Sequence, residues 1–273
     1  MLDLLFVREA AVLAVSAAGA YTDWKTGFIY DWITIPLIIF GVAANILTGN
    51  YYGLALGAAV FAIGYALYYT GKLGGGDVKI YSGIALALPE LGGGVFVLSV
   101  ALYSGLCAIV FISTYYTIKY LRKGLDLNAN REGIMKAGLV ALMFAAYFYF
   151  LSRLRPLSEP LLLIFGMLLF FGGIFLALEM GIRKEFFLKK IRLADAEEDE
   201  VLALDFMDAA QREKIGIAFK GVLGENEKLA LGKKGIKEIL VYRGLPRLGP
   251  FIFIGTCLAI LMPSATSLII GGA

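Results

Sequence analysis

The chain has no histidine at all. That removes the commonest general base and the commonest metal ligand, so any chemistry must rest on carboxylates, lysine, tyrosine or hydroxyls. Cysteine is nearly absent too: Cys107 and Cys257 stand far apart in apolar sequence. They form no ligand or redox spacing and read as small packing residues. Charge is scarce, at 17% of 273 residues with a net +3. So small a balance gives no argument for nucleic acid, and a membrane surface with anionic lipid accounts for the basic residues. Asn and Gln are sparse, a composition that fits a thermophile. No repeat of solenoid period is present.

What fills the chain instead is apolar sequence: 59% hydrophobic residues and a mean hydropathy of +0.78, well outside the range of ordinary soluble domains. A helical crossing needs about 20 residues, and spans are predicted at 4–21, 32–47, 51–69, 78–88, 93–118, 137–151, 160–180 and 250–270. The fourth is short for a perpendicular crossing. It must borrow its glycine-rich neighbours, thin the bilayer, or lie buried among other helices. The first lacks a basic start and carries Asp3, Arg8 and Glu9, which fits an uncleaved anchor rather than a signal peptide. Segments 22–31, 70–79, 119–136 and 182–248 then fall on one side and hold 22 of the 25 Lys and Arg. Without the long last segment the count is still eight against three. The positive-inside rule makes this side cytoplasmic and puts both termini outside.

The fold class expected is therefore an α-helical polytopic membrane protein of about eight spans, one of them short, with a small mixed α/β cytoplasmic module. Residues 1–181 form the membrane domain, with its core motifs within 1–120. Residues 182–248 form the module and 249–273 the final span. The module mixes fourteen basic with twelve acidic residues. Strands are predicted at 201–206 and 239–242, helices at 208–214 and 233–238, and the acidic run 197–200 reads as a solvated loop or a helix N-terminus. Gly92, Gly93 and Gly94 read as a tight turn on the outer side.

The membrane-side acids are few. Asp77 stands directly behind Gly74, Gly75 and Gly76. A carboxylate there is expensive in a bilayer, and the glycines leave room for another chain to approach it. Asp23 ends the first span, Asp31 opens the second as a helix-start residue, and Glu179 closes the seventh beside Arg183 and Lys184. All four fall at one face. Two carboxylates sharing a proton can hydrolyse an amide without histidine, metal or covalent intermediate: the ionised one activates water and the protonated one donates to the carbonyl. Asp23 and Asp77 are the natural pair. For each residue alone, interfacial capping is the plainer reading, and Lys25 and Lys79 could neutralise them as ordinary ion pairs. Residues 74–79 lack the third glycine of a dinucleotide loop, and Gly71-Lys72 lacks the flanks of a phosphate loop.

At these residues the sequence resembles the GxGD membrane aspartyl peptidases, specifically the prepilin and preflagellin (type IV, class III signal) peptidases. Gly74-Gly75-Gly76-Asp77 matches the glycine motif. The first-aspartate motif matches as Asp23-Trp24-Lys25-Thr26-Gly27-Phe28-Ile29-Tyr30-Asp31-Trp32-Ile33-Thr34-Ile35-Pro36, with Tyr30 where the family usually has proline. The resemblance covers roughly residues 1–120. It implies that Asp23 and Asp77 are the catalytic dyad. From the residues themselves, the glycines would let the substrate lie extended against the site, and Lys25 and Lys79 are candidates for tuning the pair. The resemblance also implies cleavage of short basic leaders from pilin-like or archaellin-like precursors at the cytoplasmic face. Precursors with class III signals and membrane lipid are the expected partners, with no cofactor, no metal and no nucleic acid. The absence of paired CxxC motifs speaks against the zinc module and N-methylation of bacterial members and favours the archaeal branch. The presenilin-like branch needs a Pro-Ala-Leu motif, which does not occur. Two rival functions remain: a transporter or proton pathway, which calls for acids spread through the membrane depth, and a non-catalytic assembly scaffold.

Overall fold

In a computed structural model, residues 4–154, 159–197, 200–207 and 221–263 are described. The chain is mostly helical. Helices α1 (Leu4–Thr26), α2 (Asp31–Thr48), α3 (Tyr51–Tyr69), α4 (Gly75–Ala87), α5 (Phe96–Lys123), α6 (Arg131–Leu154) and α7 (Glu159–Ile182) follow in order. After a small sheet region, α9 (Gly249–Leu261) returns to the helical body. Among the described residues six helices are long and apolar enough to cross a membrane: α1, α2, α3, α5, α6 and α7. Each of the eight predicted stretches holds a helix, though the fifth opens in a hairpin turn and strand at 93–95 and becomes helical only from Phe96. The last of them continues beyond residue 263, outside the described residues.

Helix α4 is the centre of the bundle. At about 20 Å it is too short for a bilayer of about 30 Å hydrocarbon; the fold buries it among other helices, and it also takes in Gly75 and Gly76 ahead of the fourth stretch. Val78, Ile80, Ser82, Gly83, Ile84, Ala85, Leu86 and Ala87 are all buried, held chiefly between α2 and α3. Such close packing requires missing side chains on the neighbours. A Cβ on Gly41 of α2 would stand 2.6 Å from the backbone of Leu86 and Ala87. Val12 of α1, Leu37 of α2, and Phe96 and Val100 of α5 complete the core around α4, with Ile252 and Ala259 of α9.

At the far end of α4, a buried polar knot joins three helices. Both Arg8 Nη atoms donate to Asn45 Oδ1 at 3.3 Å, and Asn45 Nδ2 donates to the Leu86 carbonyl at 2.8 Å. Hydrogen bonds to a charged group are worth about 1.5–3 kcal/mol each, and a buried donor left unpaired costs similar amounts. Asn45→Ala will therefore destabilise the bundle by about 3 kcal/mol. Thermal unfolding in detergent measures this, and an unchanged midpoint would show the knot to be dispensable.

A two-stranded hairpin, β1 (Glu90–Leu91) and β2 (Gly94–Val95), links α4 to α5. Gly92 and Gly93 form its turn at φ 62° and 80°, so this glycine triplet is the tight turn expected.

The sheet region holds β3 (Leu188–Arg192), β4 (Glu200–Leu202), β5 (Val222–Leu223), helix α8 (Glu225–Lys233) and β6 (Glu238–Tyr242). The strand order is β3-β6-β4-β5, every pairing antiparallel. Leu193, Leu202, Leu223, Leu231, Ile239 and Val241 make its small core. Both expected strands are present, the first shortened by a 3-10 turn at Leu204–Phe206. The helix expected at 233–238 is not there. Helix α8 lies one element earlier, its start fixed by Glu227 accepting from the Gly224 amide, and Gly235 at φ 72° ends it. The other expected helix, 208–214, falls outside the described residues. Strand β3 was not expected, because Leu-Lys-Lys-Ile-Arg reads as a charged loop until β6 pairs with it.

Glu200 anchors this region. Its carboxylate is nearly buried and takes two hydrogen bonds from Arg243, at 2.5 and 2.8 Å. Burial pushes its pKa up, but the Arg243 hydrogen bond, the Glu197 amide and the charges of Arg243 and Lys228 outweigh it, leaving the group below the usual carboxylate range. A depressed folded-state pKa adds stability that is complete above the unfolded value, about 4.3, and is lost as pH falls through the folded one. Limited proteolysis of the full chain will show the sheet region loosening below about pH 4 in the wild type. Glu200→Gln will show that looseness already at pH 7; identical digestion of both proteins at pH 7 contradicts the anchor.

Candidate active site

Asp23 lies on the buried stripe of α1. Arg8, Val12, Ser16, Gly19, Ala20 and Asp23 recur three or four residues apart and face the bundle. Asp23 is 6% exposed, whereas Trp24 and Lys25 point outward. The chain then reverses. Gly27 adopts φ 83°, a left-handed conformation that favours glycine, and its amide donates to the Asp23 carbonyl at 2.8 Å. The reversal carries Ile29 into the angle between α1 and α4. A Cβ on Gly76 would stand 2.8 Å from the Ile29 carbonyl oxygen and Cβ, and one on Gly19 would stand 3.5 Å from the Ile29 methyl.

Asp77 sits in the first turn of α4, where a carboxylate complements the helix dipole. Its Oδ2 accepts from the Gly74 amide at 3.3 Å, so it does cap its helix. Gly74 has φ −73°; its missing side chain makes room for the carboxylate, since a Cβ there would be 2.9 Å from Asp77 Oδ2. Gly75 faces Tyr68 at ordinary contact distance.

The two aspartates thus stand on adjoining helix ends, the last turn of α1 and the first turn of α4, where the charge of Asp23 acts on Asp77. Lys79 is engaged elsewhere, its Nζ 2.5 Å from Asp31 Oδ1 on α2. Lys25 lies over the Tyr21 ring, 5.8 Å from its centroid. Among the described residues neither lysine hydrogen-bonds Asp23 or Asp77. Glu179 pairs with Arg183, which also reaches Asp205 at 3.0 Å.

Two residues with no part in the site as read from sequence meet it from the far end of the chain. The Gly249 amide donates to Asp23 Oδ2 at 2.8 Å in a buried position. Arg247 donates to the Trp24 carbonyl, and its charge acts on Asp23. A backbone amide has no sequence signature, and only the tertiary return of α9 puts it there. Among the described residues no group of three or more His, Cys, Asp or Glu could hold a metal ion. The arrangement is suited to proton exchange between two carboxylates, with one oxygen of each held by a backbone amide and the other taking no hydrogen bond among the described residues.

Neither a curated protein nor a solved structure matches the chain. A family model, that of the type IV leader peptidase family, matches residues 10–113. That stretch runs from α1 into α5 and includes both aspartates, the Gly27 reversal and the three glycines, but not the sheet region or α9. Over residues 10–113 this membrane-associated chain is thus similar to the type IV leader peptidase family.

Proposed function

We propose that this protein is a membrane aspartyl endopeptidase that removes short basic leaders from pilin-like or archaellin-like precursors, using Asp23 and Asp77 as its acid–base pair. The observation that carries the reading is the placement of these two acids on adjoining helix ends, each with one oxygen tied to a backbone amide. One carboxylate, ionised, takes a proton from water as the water attacks the scissile carbonyl, and the other donates its proton to the carbonyl oxygen. Collapse of the tetrahedral intermediate breaks the C–N bond, with a proton passing to the leaving amine. The pair titrates as a unit, so neither residue is assigned permanently as base. Lys79, paired with Asp31, and Lys25, over the Tyr21 ring, flank the pair without touching it.

The chain crosses the membrane about eight times in this reading. The short α4 lies inside the bundle, the sheet region and the dyad are cytoplasmic, and both termini are outside, as the Lys and Arg distribution implies. Acids gathered at helix ends, rather than strung through the membrane depth, favour hydrolysis over a proton or solute path. The substrate's apolar helix would dock among the spans while its leader lies extended by Gly74, Gly75 and Gly76.

Purified protein in liposomes, incubated with a pilin-like and an archaellin-like precursor, tests this by mass spectrometry of the products. Release of an intact leader from at least one precursor is expected. No cleavage of either by folded protein overturns the proposed activity.

A further inference from the structure

We propose that Arg247 and Gly249 are positioning residues of the active site, a strap from the distal end of the chain that holds Asp23 in its working orientation. The inference rests on the dyad reading above and adds residues that lie outside the matched stretch 10–113. Gly249 opens α9, and the next residue, Pro250, has no amide hydrogen to offer. The Gly249 amide is thus the donor that the start of α9 presents to Asp23 Oδ2. A side chain at this position forces Asp23 to shift, because a Cβ on Gly249 would stand 2.8 Å from Asp23 Cβ and 2.9 Å from its Oδ2. Two residues earlier, Arg247 grips the Trp24 carbonyl, the peptide unit just past Asp23. The strap therefore fixes the side chain of Asp23 through one contact and the neighbouring Trp24 carbonyl through the other.

The sheet region supplies the strap. Strand β6 is secured by Arg243, whose amide donates to the Phe187 carbonyl at 2.9 Å and whose side chain holds Glu200, and residues 244–248 run from it to Gly249. The same region touches the approach to Asp77: a Cβ on Gly221 would stand 2.7 Å from the Thr70 carbonyl oxygen. One small domain thus contacts the loop ahead of Asp77 and, through the strap, Asp23 itself. The plainer role for the Gly249 bond is capping of α9 by Asp23, which would affect stability and leave turnover per folded molecule unaltered.

Steady-state cleavage kinetics with Gly249→Ala, Arg247→Ala, Arg247→Lys and Asp23→Asn, each checked for folding by its melting temperature, separate the alternatives. Positioning predicts that Gly249→Ala lowers kcat by about 100-fold, as expected for a misplacement near 1 Å. Positioning also predicts that Arg247→Ala lowers kcat by roughly 10-fold with KM within about 3-fold, and that Arg247→Lys recovers most of the loss. Arg247 is exposed, so its variants report even if Gly249→Ala does not fold. Wild-type kcat in folded Arg247→Ala, beside an inactive Asp23→Asn, overturns the strap and leaves the dyad standing. An active Asp23→Asn overturns both.

Discussion

Asp23→Asn and Asp77→Asn will each lower leader cleavage by roughly 10³-fold or more while leaving the fold intact. The substitution is chosen for what it preserves. An asparagine oxygen can still accept from the Gly249 amide in place of Asp23 Oδ2, and from the Gly74 amide in place of Asp77 Oδ2. Size, packing and capping are retained, and only the ability to exchange a proton is lost. Groups that act as one unit are strongly non-additive, so the double variant should be little worse than either single one. If both single variants cleave at wild-type rates, the aspartates are caps and no more. If cells carrying the folded double variant still assemble their surface filaments, the scaffold role gains what the peptidase loses.

The next largest effect will come from a residue with no chemistry of its own. Gly76→Ala puts a methyl group 2.8 Å from the Ile29 carbonyl oxygen and Cβ. That neighbour is partly backbone in the reversal between α1 and α2, so it cannot swing aside as a side-chain tip would. Either α4 retreats or the reversal does, and in both cases Asp77 moves relative to Asp23. A displacement near 1 Å is enough to cost about 100-fold in turnover, and overpacking should destabilise the bundle by about 1–3 kcal/mol. Cleavage rate and melting temperature measured on the same preparation give both numbers. Wild-type turnover would mean that Ile29 does not set the spacing of the two helices.

The helices were legible because their signal is local: runs of apolar residues at the length a bilayer requires. Asp23, Asp77 and the three glycines were legible because each motif is contiguous. Pairing across elements was not. Lys79 and Asp31 were both noticed in the sequence, yet their 2.5 Å contact depends on α2 and α4 lying side by side, which residue spacing does not encode. Helix α8 was misplaced because 233–238 is rich in lysine, while Gly235 at positive φ ends the helix there and only Glu238 of that stretch enters β6. Gly249 was read only as the first residue of the final span. Its role arises from a bare amide and an absent side chain, and neither leaves a mark in composition or spacing.

The most direct test is the separation of the Asp23 and Asp77 carboxylates in a structure with a leader peptide bound. Hydrogen bonds of about 3 Å to a shared water predict carboxylate oxygens no more than about 6 Å apart, with the scissile carbonyl between them and the Gly249 amide still on Asp23. A scissile bond lying against other residues, with the two carboxylates out of reach of any common water, would contradict the acid–base pair.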